Sequence, residues 1–272
     1  ISGNILVFAS TDLLGNFARS LVFPYASLYI LALGGDAASI GLVNFLGLLA
    51  GLVMLPIAGH ITDHADRIRL LALAGFLSSF FILMIVFAPT WQIVAVASLL
   101  FGSVVFQFPA YASLVADSLP PLDRGRGIGI MNTVSSSLAI FAPYLAGVVI
   151  ERHSANLGMR ILYTVMLAAY LSSAFIQLRY LRENSPSHRE PLSLAALTRA
   201  LGQAYQKIPA LFKQMSPTLR ALACVVLLSF LANGVATSFW VVYATEQIGL
   251  STIEWGLIML FEALVRLAVF LP

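Results

Sequence analysis

The chain of 272 residues is 60% hydrophobic and only 10% charged, and its formal net charge is +3. An ordinary soluble domain carries roughly 25% charged residues, so this composition excludes a globule covered by polar surface, and lipid must solvate much of the chain. The small net charge does not indicate a basic surface for binding a nucleic acid. The single cysteine, Cys224, excludes an internal disulfide and a Cys-based metal site.

Eight apolar stretches follow one another along the chain, and each is long enough to cross a bilayer. A membrane-spanning helix needs ~20 mostly apolar residues, and an open strand edge cannot be satisfied in hydrocarbon. The sequence therefore predicts an all-α polytopic membrane protein. The predicted spans are 5–33, 40–58, 70–88, 91–117, 127–150, 159–180, 218–245 and 253–272.

The distribution of Lys and Arg predicts the orientation of these spans. If the N-terminus is cytoplasmic, most of the 15 basic residues fall in cytoplasmic segments, and only Arg152 and Arg160 fall in outside segments. We therefore expect a multi-pass protein of the plasma membrane with a cytoplasmic N-terminus. The cytoplasmic set is Arg67, Arg69, Arg124, Arg126, Arg179, Arg182, Arg189, Arg199, Lys207, Lys213 and Arg220.

Four charged residues lie inside predicted spans. Asp12 and Arg19 are seven residues apart in the first span, and so share one helical face. Glu262 and Arg266 are four apart in the last span, with the acid N-terminal to the base. A charge at mid-membrane costs at least ~2.5–3.5 kcal/mol, so such side chains normally face a bundle interior or a water-filled cavity. We predict that Asp12 or Glu262 carries a coupling proton; alternatively, Asp12 lies near the cytoplasmic mouth and the last span holds a silent ion pair.

A polar segment at 56–69, PIAGHITDHADRIR, separates the second span from the third. An abrupt polar hairpin between two membrane-length segments predicts a tight turn that faces water. Its residues Gly59, Asp63 and Arg67 resemble the signature loop of the major facilitator superfamily, written G-x-L-A-D-[RK]-x-G-[RK]-[RK]. The segment departs from that pattern at His64, Asp66 and Ile68.

A second resemblance lies between the fourth and fifth spans. Residues 108–127 contain FPA, VAD and DRGRG, which is similar to the family's PA…vaD…RgrG pattern. The resemblance implies that Arg67 pairs with Asp117 and that Arg124 lies in the following loop. It also implies that Asp63 contacts a helix end in the second half of a transporter. Such a latch would favour the outward-open state, because breaking a buried ion pair leaves costly unpaired charges. The alternative is ordinary positive-inside charge.

Residues 142–147, APYLAG, resemble the antiporter-associated pattern GPxxGG, with alanine in place of two of the glycines. Small residues at this spacing let helices approach closely. The pattern favours export by antiport only slightly over other modes of transport. A packing seam of small residues between helices explains the pattern equally well.

The one long connection between spans is polar and divides six spans from two. We predict an N-terminal six-helix half at 1–181, a cytoplasmic linker at 182–217 and the start of a second half at 218–272. Apolar residues recur in the linker at helical spacing, which predicts an amphipathic helix on the membrane surface; the alternative is a solvated linker. These residues are Leu194, Leu197, Leu201, Tyr205, Ile208 and Leu211.

The last span repeats the second. Gly34 and Gly249 are each followed seven residues later by a glycine, Gly41 and Gly256, and then by an apolar run that ends in Leu-Pro. Two six-span halves related by repetition are the architecture of the major facilitator superfamily. The resemblance implies a second signature-type loop and four further spans after the last residue, so that this chain holds eight of twelve transmembrane helices.

Other polar or amphipathic residues within spans are candidates for a substrate cavity. In the family that the chain resembles, the first and seventh spans line the central cavity, with the second and eighth nearby. Some of these side chains must simply hydrogen-bond between helices. The candidates are Asn16, Asn44, Gln107, Tyr111, Asn132, Asn233 and Trp240.

The sequence has no phosphate-binding loop, no HExxH, no nucleophile elbow and no Cys/His cluster, so we expect neither an enzyme nor a bound cofactor or metal. We expect a monomeric secondary transporter that moves a small organic solute, coupled to protons, by alternating access between two six-helix halves. Drug or metabolite efflux is the expected direction. The alternatives are a non-transporting solute sensor of this fold and a uniporter or symporter for sugars or metabolites.

Overall fold

The computed structural model of the protein describes residues 3–182, 202, 205, 206 and 210–270, with the backbone alone for residues 63, 235 and 268–270. Every regular element in these ranges is helical, and no strand is found there. A helix satisfies its own backbone hydrogen bonds and can therefore be surrounded by lipid. The predicted all-α membrane fold is confirmed.

Residues 210–214 are helical, and ten further α-helices in the described residues are numbered here. They are α1 (Gly3–Val22), α2 (Ala26–Ala32), α3 (Ala37–His64), α4 (Arg67–Val86), α5 (Trp91–Gly102), α6 (Gln107–Asp117), α7 (Arg124–Ser137), α8 (Ala142–Tyr180), α9 (Pro217–Val242) and α10 (Thr252–Phe270). A 3₁₀ turn at Phe23–Tyr25 joins α1 to α2, and another at Ser103–Phe106 joins α5 to α6. A π-helical segment at Tyr243–Gln247 follows α9.

Six helical stretches among the described residues are long and apolar enough to cross a membrane. One of them, Arg124–Tyr180, contains both the fifth and the sixth predicted spans. Helix α10, the eighth predicted span, is not among the six; it carries Glu254, Glu262 and Arg266 within 19 residues. The predicted division at 182–217 stays a prediction, and the predicted surface helix lies largely outside the described residues.

The polar hairpin predicted at 56–69 is wrong in its extent. Helix α3 continues beyond the apolar run to His64, and only Ala65 and Asp66 form the turn. Asp66 caps α4, because its carboxylate accepts a hydrogen bond from the backbone N–H of Arg69 at 3.0 Å. A helix satisfies its own backbone in lipid and in water alike, so polar side chains can continue α3 past the apolar run.

The break predicted between the fifth and sixth spans is present as a sharp bend within one helical segment. Helix α8 covers the sixth span and residues 142–150 of the fifth, and the chain bends within it at Ser154, where φ is 70° and ψ is 162°. A Cβ added at Gly158 would lie 2.7 Å from the Cα of Ile150, so the two limbs touch directly at this bend. The fifth span is interrupted between α7 and α8, just before Pro143, which has no backbone N–H to donate.

The two glycines that begin the predicted repeat have the same backbone conformation. Gly34 has φ of 82° and Gly249 has φ of 81°. Only glycine adopts this left-handed region without steric cost, so each residue ends one helix and lets the chain turn into the next. The sequence repeat is therefore also a repeat of local structure.

The helices that follow these glycines begin with equivalent caps. Asp36 caps α3 by accepting hydrogen bonds from the hydroxyl and the backbone N–H of Ser39. These hydrogen bonds hold the pKa of Asp36 below its ordinary value, the hydroxyl bond contributing most. Ser251 and Glu254 form a reciprocal capping box at the start of α10.

Helices α1–α8 form a packed body with two buried apolar clusters. Helix α9 packs against the body only near its C-terminal end, where Val241 is buried and Ala244 of the following segment is also buried. Most side chains in the first two thirds of α9 are exposed. The two helices after the linker therefore approach the body unevenly along their length.

The two ends of the bundle are named here by their residues. The basic end carries Arg67, Arg124 and Arg182, together with the turn between α3 and α4. The opposite end carries Gly34 and the bend at Ser154. Helix α10 begins at the opposite end, next to the C-terminal part of α9.

Candidate transport cavity

Five helices of the body, α1, α4, α6, α7 and α8, line a polar cavity of about 300 Å³, named here the α1 cavity. It brings one acid and one base together with neutral hydrogen-bonding groups inside a bundle that otherwise packs apolar side chains. Polar and charged side chains within a membrane bundle mark solute or proton pathways by default. Its polar lining consists of Thr11, Asp12, Asn16, Arg19, Ser78, Gln107, Tyr111, Asn132, Ser135, Tyr170, Ser173 and Gln177.

The carboxylate of Asp12 has a neutral partner. The Tyr111 hydroxyl on α6 donates a hydrogen bond to it. The Tyr111 ring packs edge-on against Phe8, with centroids 5.2 Å apart, and Phe8 is fully buried. Among the described residues, no basic side chain lies within ion-pair distance of Asp12. A phenol held by packing therefore orients this carboxylate without neutralising its charge.

Arg19 lies in the same cavity, as the spacing of seven residues predicts. Its guanidinium donates to the side-chain oxygen of Asn16, one turn earlier on α1. It also interacts with the Tyr170 hydroxyl on α8. Both partners are neutral, and the described part of the chain places no carboxylate within ion-pair distance of this guanidinium.

The acid and base of α10 are arranged differently. The guanidinium of Arg266 forms an ion pair with the carboxylate of Glu262. The pair faces a separate cavity of about 460 Å³ between α10, α7 and α1, where Ser20 and Pro24 lie opposite it. Both side chains are at least half exposed.

The other cavity candidates divide between two regions. Gln107 and Asn132 line the α1 cavity. Asn44 of α3 instead donates a hydrogen bond at 3.0 Å to a serine hydroxyl of α9. Asn233 donates to a carbonyl oxygen of its own helix at 2.9 Å, and the exposed Trp240 also lies on α9. The structure therefore does not bring Asn44, Asn233 and Trp240 to Asp12 and Arg19.

Helix α10 contacts the body closely at the opposite end. The Tyr25 hydroxyl donates to the carbonyl oxygen of Pro143 at 2.8 Å and lies 3.1 Å from that of Thr252. The Thr252 hydroxyl lies within hydrogen-bond distance of the Gly147 carbonyl oxygen, 2.9 Å, and of the Glu151 carboxylate, 2.7 Å. Glu151 also accepts from the backbone N–H of Thr252, and so caps α10 from a neighbouring helix.

Two glycines allow this close approach. A Cβ added at Gly147 would lie 2.3 Å from the carbonyl oxygen of Thr252, and one at Gly256 would lie 2.7 Å from that of Pro143. The segment at 142–147 is therefore a packing seam against α10, as one of the two interpretations of its small residues predicts. Gly41, the counterpart of Gly256 in the repeat, would meet nothing within 4 Å.

The signature-loop residues lie together at the basic end. Arg67 Nη1 and Asp117 Oδ2 are 2.8 Å apart, and both side chains are partly exposed. Arg124 donates to a carbonyl oxygen of the last turn of α6 at 3.0 Å. A Cβ at Gly59 would meet nothing within 4 Å, and the side chain of Asp63 lies outside the described residues.

The family model described as Major Facilitator Superfamily matches residues 10–272 of this chain. The chain belongs to this superfamily. Its resemblance to the superfamily, carried by the signature loop, the 108–127 motif and the repeat, is thereby confirmed. The multi-pass membrane character of the chain follows from the same match together with its helices.

Several curated members of the superfamily are similar over part of their length. A Multi-drug resistance efflux pump PmrA homolog of Lactococcus lactis is 26% identical over 61% of this chain and 41% of its own length. The Multidrug resistance protein MdtG of Yersinia enterocolitica is 27% identical over 61% and 40%. An uncharacterized MFS-type transporter of Methanocaldococcus jannaschii is 25% identical over 54% and 37%. The aligned part of the chain spans about two fifths of these relatives.

Solved structures of the superfamily share the fold. A bacterial homolog of the human lysosomal transporter Spinster, in an inward-facing and unoccupied conformation, superposes with a TM-score of 0.66 and 19% identity. The match covers 93% of this chain and 57% of that protein. A peptide transporter in complex with sulfate gives a TM-score of 0.52 at 18% identity, over 84% of this chain and 46% of that one. These likenesses show the superfamily fold.

Sequence analysis missed the contribution of α8 to the α1 cavity. Tyr170, Ser173 and Gln177 line it, and Gln177 donates to the Thr11 hydroxyl at 3.4 Å. A glutamine inside an apolar span is a detectable signal, whereas the tyrosine and serine resemble ordinary packing residues. Asn4 was also missed; it is buried and exchanges two hydrogen bonds with the backbone of Arg182, which ties the start of α1 to the end of α8.

Proposed function

We propose that this chain is part of a proton-coupled secondary transporter that moves a small organic solute out of the cell by alternating access. The observation that carries the proposal is the α1 cavity, in which Asp12 is held by Tyr111 inside the six-helix body. Superfamily membership supports the transport mode. The printed names of two relatives, an efflux pump and a multidrug resistance protein, support the outward direction and a drug or metabolite as solute.

Asp12 is the better proton carrier of the two carboxylates considered. Glu262 is paired with a permanent guanidinium charge, so protonating it would leave Arg266 without its partner. Asp12 is hydrogen-bonded by a neutral phenol, and it can gain or lose a proton without breaking an ion pair. A solute that enters the cavity and changes the Asp12–Tyr111 contact would change the proton affinity of Asp12, which is a direct means of coupling.

Alternating access is supported by the uneven packing of the last two helices. The Tyr25, Thr252 and Gly256 contacts hold α10 against the body at the opposite end, while most side chains in the first part of α9 are exposed. With the N-terminus cytoplasmic, as the excess of Lys and Arg predicts, this arrangement gives access from the cytoplasm. Breaking the opposite-end contacts would give access from outside.

The signature-loop residues complete the proposal as a latch at the cytoplasmic end. Arg67 and Asp117 pair within the body while the opposite end is in contact. This pair alone therefore does not distinguish the two states. We propose that it positions the turn, while Asp63 makes the contact with the second half that favours the outward-open state, with Gly59 and Arg124 shaping the loop.

The test uses the full-length gene product, reconstituted in proteoliposomes with a trapped pH-sensitive dye and pooled solutes. We expect solute-dependent proton flux that falls to background in Asp12→Asn and persists in Glu262→Gln, a matched acid-to-amide control. Flux that survives in Asp12→Asn but disappears in Glu262→Gln would transfer the coupling role to α10. If no pool drives proton flux but a solute stabilises the protein against thermal unfolding, the result would favour a uniporter or a non-transporting sensor. A counterflow assay with that solute would then distinguish the two, because only a transporter exchanges the solute across the membrane.

A further inference from the structure

The α1 cavity holds a positive charge that proton coupling through Asp12 does not use. The hydrogen bonds of Arg19 go to neutral groups, Asn16 and Tyr170, and Asp12 attracts it through space without forming an ion pair in the described part of the chain. An arginine keeps its charge at any physiological pH, and a charge inside a membrane bundle is costly unless something compensates it. The cavity therefore presents a cation that has no ion-pair partner in direct contact with it among the residues that the structure describes.

Asp12 does not form a contact ion pair with this guanidinium in the described residues. Seven residues of α-helix separate the two residues by about 10 Å along the axis, and the Asp12 carboxylate is already bound to Tyr111. The acid and the base thus occupy separate levels of one cavity. Each can act on a different species.

The guanidinium has hydrogen-bond donors to spare. It carries five N–H groups in a planar fork, and Asn16 and Tyr170 take only part of them. A planar fork binds a carboxylate through two parallel hydrogen bonds, which are charge-assisted and stronger than neutral ones. The shape and charge of this group favour a carboxylate over a neutral carbonyl.

A second observation points to a ligand in the same cavity. The Ser173 hydroxyl lines the α1 cavity, is buried, and has no hydrogen-bond partner among the described residues. A buried polar group without a partner normally has one that the protein atoms do not supply. Gln107 and Asn132 add neutral polar groups to the same lining.

We propose that Arg19 binds the anionic group of the transported solute, so that small organic carboxylates are the substrate class of the α1 cavity; this rests on the proposed function of that cavity. A volume of about 300 Å³ lies at the small end of ligand sites. The solute is therefore compact. Its carboxylate pairs with Arg19, while its body contacts Ser173 and the neutral amides.

The experiment measures binding, so that it does not depend on proton coupling. Thermal unfolding of the detergent-solubilised full-length protein is recorded in chloride-free buffer with matched pairs of probes: benzoate and benzamide, propionate and propionamide, and succinate and succinamide, with benzylamine as a cation. We expect concentration-dependent stabilisation by carboxylates and little by the amides or the amine. Stabilisation by amides or amine alone, or by none of the probes, would overturn the proposal.

Variants of Arg19 then assign the effect to this residue. Arg19→Gln should weaken carboxylate binding roughly 10- to 100-fold, the loss expected for a charge-assisted hydrogen bond. Arg19→Lys should retain part of it, because the charge stays and the fork is lost. Arg220→Gln, at an exposed arginine of α9, is the matched control and should bind as the unmodified protein does. Unchanged carboxylate binding in Arg19→Gln would show that the site lies elsewhere.

The two proposals fail in different ways. Carboxylate binding that depends on Arg19, without any proton flux, would keep this inference and reject proton coupling. Proton flux that depends on Asp12 and is driven by neutral or cationic solutes in Arg19→Gln would keep the proposed function and reject the carboxylate site.

Discussion

Helices α1 and α10 each carry an acid and a base on one face within the predicted span, Asp12 with Arg19 and Glu262 with Arg266, and the two pairs differ in their spacing. In α10, Glu262 and Arg266 are four residues apart and form an ion pair on an exposed surface. In α1, Asp12 and Arg19 are seven apart and turn to different neutral partners, Tyr111 and Asn16. Side chains one helical turn apart can form an ion pair. Side chains two turns apart do not pair here, so each charge can interact with another group in the same cavity.

The two helices also differ in how the rest of the molecule holds them. Helix α1 is surrounded by α6, α7 and α8 of the body and shares a cavity with α4 as well. Helix α10 is held at its first turns by Gly256, Thr252 and the carboxylate of Glu151. This difference is the reason that we propose binding chemistry for α1 and a moving contact for α10.

The strongest test gives α1 the charge spacing of α10. The double variant Asn16→Arg with Arg19→Asn places the guanidinium four residues after Asp12. An opposite charge at that spacing should stabilise the ionised carboxylate by about 1–4 kcal/mol. We expect the solute-driven proton flux in proteoliposomes to fall by roughly tenfold or more.

The control reverses the charges of α10, with Glu262→Arg and Arg266→Glu together. This variant keeps an ion pair at the same two positions, so its flux should stay close to that of the unmodified protein. Equal losses in the two double variants would remove the distinction between the helices.

The next test disturbs the contact of α10 with the body. Gly256→Ala would place a methyl group 2.7 Å from the backbone oxygen of Pro143, so the helices must separate there. Overpacking of this kind costs about 1–3 kcal/mol, which changes a population ratio roughly 5- to 150-fold. We expect the opposite end to open.

The opening can be measured as a distance between spin labels. Ala38 and Gln247 are exposed at the opposite end, and the exposed Cys224 is replaced by serine to leave two labelled sites. Gly41→Ala is the matched control, because the repeat counterpart has open space around it. A longer distance in both glycine variants, or in neither, would contradict a specific role for Gly256.

A smaller effect is expected at the neutral partner of Asp12. Tyr111→Phe removes the hydrogen bond but keeps the ring that packs against Phe8. The loss should lower the free energy of unfolding by about 1–2 kcal/mol, measured by denaturant titration of the full-length protein. Tyr243→Phe, at an exposed tyrosine, should change it little. A similar loss in both variants would show that Asp12 does not depend on this phenol.

The smallest effect is expected for the ion pair of α10. Both side chains are at least half exposed, and exposed pairs couple by only about 0.2–1 kcal/mol. A double-mutant cycle with Glu262→Gln and Arg266→Gln, measured by the same titration, should give a coupling energy in that range. A coupling of several kcal/mol would mean that the pair is buried in the full-length protein, and that its charges matter as much as those of Asp12 and Arg19.

The sequence by itself determined the features that are local along the chain. Hydropathy indicated the membrane helices, because each must be apolar over a bilayer thickness whatever its neighbours are. The glycines that begin the repeat, Gly34 and Gly249, were found from spacing alone, because a left-handed turn requires glycine at that point. The shared face of Asp12 and Arg19 followed from helical periodicity.

Only the tertiary structure decided which residues meet across the fold. Asp12 and Tyr111 are 99 positions apart, and both were candidates, but no periodicity pairs them. Gly41 and Gly256 are equivalent in the sequence, yet only Gly256 touches a neighbouring backbone. The end of α3 at His64 and the interruption of the fifth span between α7 and α8 also escaped prediction. Hydropathy records where lipid must be, whereas helix ends, bends and contacts depend on what packs against each residue in three dimensions.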